Sequence, residues 1–298
     1  MTDQEQQYFS RAKNELTEYY VYGKLARREK RPENRALLEK LSAQEHGHYE
    51  FWLSLMPGIQ KDAVQPDRWA IAVTPFLRTI FGLTFISKFL EGHEKNAIAT
   101  YEGMRTIVPE ARRAEFERVI EDERSHERGL IAGIKERRVA YIGFVALGLS
   151  DAIIEITGVH AGFLGVTGST LIAGISGVIV GFAAAISMGA AAFLQAKQDP
   201  DKSPLVSALI TGFTYMLSVV CLALPYFLIR TMITAFVIST GIGLLLLAAF
   251  TFYGAVVFDR RFIREFGESA SLMLGTALAT YLLGIVVGGA FHVNQATF

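Results

Sequence analysis

The stretch that decides the fold is KERRVAYIGFVALGLSDAIIEITGVHAGFLG, residues 135–165, where a run of charges gives way to a long apolar segment. Of the 58 charged side chains in this 298-residue protein, 45 lie in residues 1–138 and 13 in residues 139–298. Such a step in composition marks a change of solvent from water to lipid. The sequence therefore predicts two domains, an aqueous one over 1–138 and a transmembrane one over 139–298.

The overall composition removes several classes of function. The 29 basic and 29 acidic side chains cancel, which argues against a large nucleic-acid-binding surface, so no nucleic-acid partner is predicted. A single cysteine, Cys221, excludes an intrachain disulfide, a cysteine-based zinc site and a four-cysteine iron site. The N-terminal residues lack the apolar core of a signal peptide, so the aqueous domain is expected to stay where it is synthesised.

Five apolar stretches in the second domain each reach the roughly 20 residues needed to cross a hydrocarbon core. They cover about 139–165, 170–195, 205–228, 231–257 and 270–292. Cytoplasmic loops of membrane proteins carry an excess of lysine and arginine. A cytoplasmic N-terminus and an external C-terminus agree with this rule, because they place eight basic residues inside and one, Arg230, outside. The inside set is Lys135, Arg137, Arg138, Lys197, Lys202, Arg260, Arg261 and Arg264. The odd number of spans favours a dimer.

One further apolar stretch, WAIAVTPFLRTIFGLTFISKFL at 69–90, lies inside the charged half. It contains Pro75, Arg78 and Lys88, and a span here would put residues 1–68 and 91–138 on opposite sides of the membrane. We therefore expect a buried or membrane-surface helix rather than a sixth span.

The rest of the aqueous domain is predicted to be helical. Strand alternation is missing from the sequence, and proline-containing breaks separate four segments at about 4–29, 33–56, 76–105 and 109–137. Short connections within each pair and a longer one between the pairs are typical of a four-helix bundle. The predicted fold class is thus all-α, a four-helix bundle followed by five transmembrane helices.

Metal-ligand spacing recurs in these helices. The second carries Glu45-x-x-His48 and the fourth carries Glu123-x-x-His126, and positions three apart share one helix face. The first helix supplies Glu15, and the third supplies Glu91 and Glu94. A single Glu-x-x-His is usually part of a solvated face, but two at matched distances after Glu-bearing helices favour a site for two metals. Oxygen and nitrogen ligands suit Fe(II), Mn(II) or Zn(II).

The motifs NELTEYYVY, AQEHGHYEFW, FLEGHEKN and EDERSHER, at 14–22, 43–52, 89–96 and 121–128, resemble the rubrerythrin branch of the ferritin-like superfamily. The resemblance implies a ferritin-like bundle with an Fe(II)/Fe(III) diiron centre and a possible ferroxidase activity. Rubrerythrins commonly add a rubredoxin iron centre, which this chain has no cysteines to form. The ligands implied are Glu15, Glu45, His48, Glu91, Glu94, Glu123 and His126.

The membrane half has its own polar pattern. Asp151 and Glu155 are the two charges deep within a predicted span, and their spacing of four places them on one helix face. Intramembrane carboxylates are costly and are functional candidates. An interfacial cap remains an alternative for Asp151, as core packing does for Met188 and helix packing for the glycines of the first two spans.

The stretches LSDAIIEITGVHAGF at 149–163 and AAAISMGAAAFLQAK at 183–197 resemble the first two helices of the vacuolar iron transporter family, also called the calcium cross-complementer family. The resemblance implies a five-span homodimer that exchanges Fe(II) or Mn(II) for protons, with Asp151, Glu155 and Met188 on the path. This sequence departs from the family pattern at Ala152 and Val180, and its link between the second and third spans lacks the metal-binding insert of plant-type members.

Together the two resemblances match the membrane-bound ferritin-like iron exporters of bacteria. They imply a multi-pass protein of a bacterial or archaeal plasma membrane that exports Fe(II) or Mn(II) by proton antiport. The bundle would capture, oxidise or sense the metal, and the partners are metal ions, protons, the lipid bilayer and a second copy. A membrane-anchored diiron oxidase or peroxidase stays open, as does a manganese exporter with a structural bundle.

Overall fold

The structure is a computed structural model that describes residues 1–126, 134 and 136–291, without the side chains of 91–99, 137 and 138. Within this part the chain has ten α-helices, two short 3-10 helices and no strand, which confirms the all-α class. The chain divides into two compact units, Met1–Glu136 and Arg137–Phe298.

The first unit contains five α-helices with well-defined starts. Thr2 and Glu5 form a reciprocal capping box at the start of α1, and Pro32 occupies the first turn of α2. Asp67 accepts the amides of Trp69 and Ala70 to start α3. The helices are α1 Asp3–Arg28, α2 Pro32–Ser54, α3 Arg68–Phe81, α4 Leu83–Met104 and α5 Arg113–Ser125, with 3-10 turns at Lys61–Ala63 and Glu110–Arg112.

An aromatic cluster holds this unit together. Trp52 is fully buried and contacts the rings of Tyr8, Tyr101 and Phe116 at centroid distances of 5.2–5.7 Å. These rings come from α2, α1, α4 and α5, so the same contacts join all four of those helices. Large aromatic side chains bury much apolar area each, which fixes the helices that carry the candidate metal ligands.

The predicted helix 76–105 is two helices. α3 ends at Phe81, and Gly82 adopts φ 90°, a conformation that a residue with a Cβ rarely takes. The Glu136 carboxylate packs against Gly82 and accepts the amide of Thr84 at 2.9 Å, which fixes the break. At 14 residues α3 is too short to cross a membrane, in agreement with the expectation of a buried or surface helix. Of the predicted helix 109–137, the described residues form the 3-10 turn Glu110–Arg112 and α5, and residues 134 and 136 are not helical.

The second unit consists of five long apolar helices, which confirms the number of predicted candidate spans. Each is long enough to cross a bilayer. Ser169 caps α7 through the amide of Ile172, and Pro204 lies in the first turn of α8. The helices are α6 Arg137–Val166, α7 Thr170–Ala196, α8 Pro204–Leu228, α9 Met232–Phe258 and α10 Phe262–Ala290.

The last helix starts earlier than predicted, at Phe262 instead of residue 270. Its first two turns are charged, so a count of apolar residues misses them, but side chains four apart stabilise them. Arg264 pairs with Glu268 at 2.9 Å, and Phe262 stacks on Phe266 at 5.7 Å. Farther along, α10 packs closely on α6, because a Cβ on Gly284 would overlap the backbone of Gly162.

Candidate metal centre

Three helices of the first unit bring five predicted ligands into one buried cluster. α1 supplies Glu15, α2 supplies Glu45 and His48, and α5 supplies Glu123, with His126 directly after its last turn. All five are at most 3% exposed. Ionisable groups are rarely buried this deeply unless they are paired or bind a metal. The structure therefore brings both Glu-x-x-His motifs to a single place.

The distances within the cluster centre on the two imidazoles. His48 Nδ1 lies 3.1 Å from Glu123 Oε1, 3.3 Å from Glu45 Oε2 and 3.9 Å from Glu15 Oε2. His126 Nδ1 lies 3.3 Å from Glu45 Oε1 and 3.9 Å from Glu123 Oε2. Glu45 and Glu123 thus each face both imidazoles, and the two rings are 6.0 Å apart.

The cluster contains more carboxylates than imidazoles, so its carboxylates repel one another. Burial, together with repulsion from Glu123 and Glu45, raises the pKa of Glu15 well above its usual value. Burial alone would raise the pKa of Glu45, but the adjacent His126 and His48 lower it well below the usual value of a glutamate. Burial would lower the pKa of His48, whereas contacts with Asp122, Glu123 and Glu45 raise it. A divalent cation would replace protons that Glu15 and His48 otherwise hold.

The donor set fits a metal ion. Among the described residues, both carboxylate oxygens of Glu45, Glu123 Oε2, His48 Nδ1 and both nitrogens of His126 are buried without a hydrogen bond. Most of these atoms face one another at 3.1–3.9 Å without hydrogen-bond geometry, and a bound metal ion would satisfy them. One ligand atom from each of Glu15, Glu45, His48 and Glu123 lies within 4.8 Å of the others. Ligands at about 2.1 Å from one ion lie up to about 4.2 Å apart, so little movement is needed.

Two residues that were not among the predicted ligands orient this cluster. Asp122 Oδ2 lies 3.5 Å from His48 Nε2, and its other oxygen accepts a hydrogen bond from Gln44 at 3.2 Å. This contact directs Nδ1 of His48 to the cluster, as outer carboxylates do for metal-bound histidines. Tyr101, which lies on α4, donates a hydrogen bond of 2.5 Å to the carboxylate of Glu15. Asp122 precedes a predicted ligand in sequence, but no spacing rule points to Tyr101.

The remaining predicted ligands lie on α4. Glu91 and Glu94 belong to the stretch whose side chains are outside the described residues, as does His93, so a second metal position stays a prediction. His46 is half-buried and packs on Tyr19 at 4.8 Å between ring centroids.

In the second unit, Asp151 and Glu155 are half-buried on one face of α6. Tyr215 of α8 donates a hydrogen bond to Glu155 Oε2. This partner was also missed, because a tyrosine within an apolar span has no spacing relation to residues 60 positions away. The hydrogen bond offsets part of the free-energy cost of placing a carboxylate among apolar helices.

Met188 packs where α6, α7 and α8 meet. It is half-buried on α7 against an apolar cluster that includes Ala152 of α6 and Tyr215 of α8. Val180, one of the two departures from the family pattern, lines a mostly apolar groove of about 460 Å³ together with Glu155 and residues of α10. Ala152, the other departure, is fully buried in the cluster.

No protein-family model, curated protein or solved structure matches this chain, so the chemistry of both sites rests on their own geometry.

Proposed function

We propose that this protein is a membrane transporter that exports Fe(II) or Mn(II) from the cytosol, with an aqueous metal-binding bundle attached to its membrane helices. The observation that carries the proposal is the buried cluster of three carboxylates and two imidazoles on the same chain as five candidate membrane spans. We further propose that the bundle is ferritin-like and the membrane unit resembles the vacuolar iron transporters. The N-terminus is then cytoplasmic.

The donor chemistry supports the choice of cargo. Carboxylate and imidazole ligands suit Fe(II), Mn(II) and Zn(II), whereas Mg²⁺ and Ca²⁺ prefer shells of oxygen alone. In the bundle, Glu45, His48, Glu123 and His126 would hold the resident metal, and Glu15 would complete the site beside Tyr101. A resident diiron centre would supply one-electron redox chemistry, including oxidation of Fe(II).

The membrane unit contributes the path. Asp151 and Glu155 can each hold a cation when ionised or a proton when neutral, which is the property that exchange of the two requires. Tyr215 holds the Glu155 carboxylate in one orientation, and Met188 offers a softer contact near the same junction. A helix bundle that served as an anchor alone has no need of two acids on one face of α6.

The direct test is metal movement by the purified full-length protein in sealed vesicles. We expect Fe(II) and Mn(II) to enter the vesicles faster than they enter protein-free vesicles. Protons should move in the opposite direction, so that the pH inside rises as metal enters. Metal that stays outside while Fe(II) is oxidised or peroxide is consumed would instead identify a membrane-anchored oxidase or peroxidase. Metal flux with no oxidation in any condition would leave the bundle a capture or sensing domain.

A further inference from the structure

α3 presents an apolar face to its surroundings, although it belongs to the charged half of the chain. Trp69 is 72% exposed and Phe76 is 63% exposed, and Ala72 between them is exposed too. Their spacing of three and four places the three side chains on one stripe of the helix. Large apolar side chains on a continuous exposed stripe are unfavourable in water and mark an interaction surface.

The opposite face of α3 is held against α1 along its length. The amide of Asp67, its N-cap, donates to Thr17 Oγ1 at 2.9 Å, and Lys24 Nζ donates to the carbonyl of Ile71 at 3.4 Å. Near its end, Arg78 pairs with the buried Glu29. α3 is therefore fixed on one side by three polar contacts, and the apolar stripe is its free side.

The unit that contains α3 is joined covalently to the first membrane span. Glu136, which accepts the amide of Thr84 in the first turn of α4, is followed by α6, whose apolar span starts at Val139. Three residues extend at most about 11 Å, so Glu136, whose carboxylate contacts Gly82 and Thr84, lies within that covalent reach of the residue where the span begins.

Cations are concentrated at the C-terminal end of α1, where Arg78 of α3 pairs with Glu29. Five basic side chains occur within eight residues, and all are exposed. They form a basic cluster consisting of Lys24, Arg27, Arg28, Lys30 and Arg31. Exposed lysine and arginine beside an apolar helix face are typical of surfaces that bind anionic lipid headgroups, and tryptophan is enriched at the same depth.

We propose that α3 is an interfacial helix whose stripe of Trp69, Ala72 and Phe76 inserts into the lipid surface, with the basic cluster on anionic headgroups. The bundle would then be held against the membrane at a second point besides the chain connection at residue 136. The proposal requires the membrane spans but neither the metal nor its transport, so it can fail or succeed apart from the proposed function.

Tryptophan fluorescence provides the test, because the chain has two tryptophans and Trp52 is fully buried in the bundle. The full-length protein is placed in vesicles of phosphatidylcholine and phosphatidylglycerol whose acyl chains carry bromine near the headgroup. The difference between wild type and Trp69→Phe gives the Trp69 signal, which we expect to be quenched about twofold at this depth.

The matched control is Ala114→Trp in the Trp69→Phe protein, since Ala114 is exposed on α5, which packs against α2 and α4. We expect that tryptophan to be quenched far less than Trp69, and Phe76→Glu to reduce the quenching of Trp69. Equal quenching at the two positions would overturn the proposal. A blue-shifted but unquenched Trp69 would also overturn it, because a protein surface would then cover the stripe.

Discussion

Glu15 is the carboxylate of the buried cluster whose ionised form is disfavoured by both burial and neighbouring acids. Its pKa is raised by burial and by Glu123 and Glu45, so the folded protein holds this proton more tightly than the unfolded chain does. The stability of the metal-free protein therefore falls as the pH rises from about 4.5 through the raised pKa of Glu15. A bound cation removes the reason for this loss.

Glu15→Gln is accordingly expected to stabilise the metal-free protein by about 1–3 kcal/mol at neutral pH, because the amide carries no charge to bury. Its oxygen can still accept the hydrogen bond of Tyr101. The same variant should lose most of the stabilisation that Fe(II) or Mn(II) gives the wild type. Thermal unfolding with and without metal measures both effects, and an unchanged response to metal would exclude Glu15 as a ligand.

Asp122 acts through His48 rather than on the metal. Asp122→Asn keeps the size of the side chain but weakens its contact with His48 Nε2, so we expect metal affinity to fall about 10–100-fold. Equilibrium dialysis followed by metal analysis of the full-length protein gives the affinity. Glu121→Gln, an exposed neighbour on the same helix, is the matched control and should bind as the wild type does. Equal affinities for the two variants would contradict the positioning role.

Of the five predicted residues in the cluster, four have a local spacing signal, and Glu15 was predicted as the acid that the first helix supplies. Glu45 with His48, and Glu123 with His126, follow the spacing of a helix face, so both pairs can be selected from the order of residues alone. Tyr101 and Asp122 cannot, because their roles come from contacts between helices that are distant in sequence.

At the scale of elements, the break between α3 and α4 depends on Gly82. Gly82→Ala would place a Cβ 2.6 Å from the Glu136 carboxylate and at a φ of 90° that alanine disfavours. We expect a loss of about 1–3 kcal/mol in unfolding free energy, measured by denaturant or thermal unfolding in detergent. Gly103→Ala has no neighbour within 4 Å among the described residues and should be neutral or slightly stabilising. Equal effects would show that the break does not need glycine.

Helices were predictable where one physical rule applied throughout. The apolar spans follow from length and composition, and the bounds of α1 and α2 follow from the proline-containing breaks beside them. The prediction failed at α10, where ion pairs and stacked rings extend a membrane helix into a charged stretch, and at 76–105, where one backbone conformation at Gly82 interrupts continuous helical periodicity. Both failures involve side-chain contacts that composition does not record.

At the scale of the whole molecule, the proposed orientation can be tested with single cysteines. In a Cys221→Ser background, Asp201→Cys lies in the loop between α7 and α8, and Arg230→Cys lies in the loop between α8 and α9. We expect a membrane-impermeant thiol reagent added to intact cells to label position 230 and to spare position 201 until the membrane is opened. Labelling of position 201 in intact cells would reverse the orientation.

The central claim is that metal crosses the membrane by way of the carboxylates of α6. Asp151→Asn keeps the shape of the side chain and removes its charge, and Asp201→Asn makes the same change in an exposed loop. Flux of Fe(II) and Mn(II) into matched proteoliposomes tests the claim most directly, with the metal content of the bundle measured in the same samples. The account predicts that Asp151→Asn stops the flux while its bundle stays loaded, and that Asp201→Asn transports normally. Wild-type flux by Asp151→Asn would contradict it.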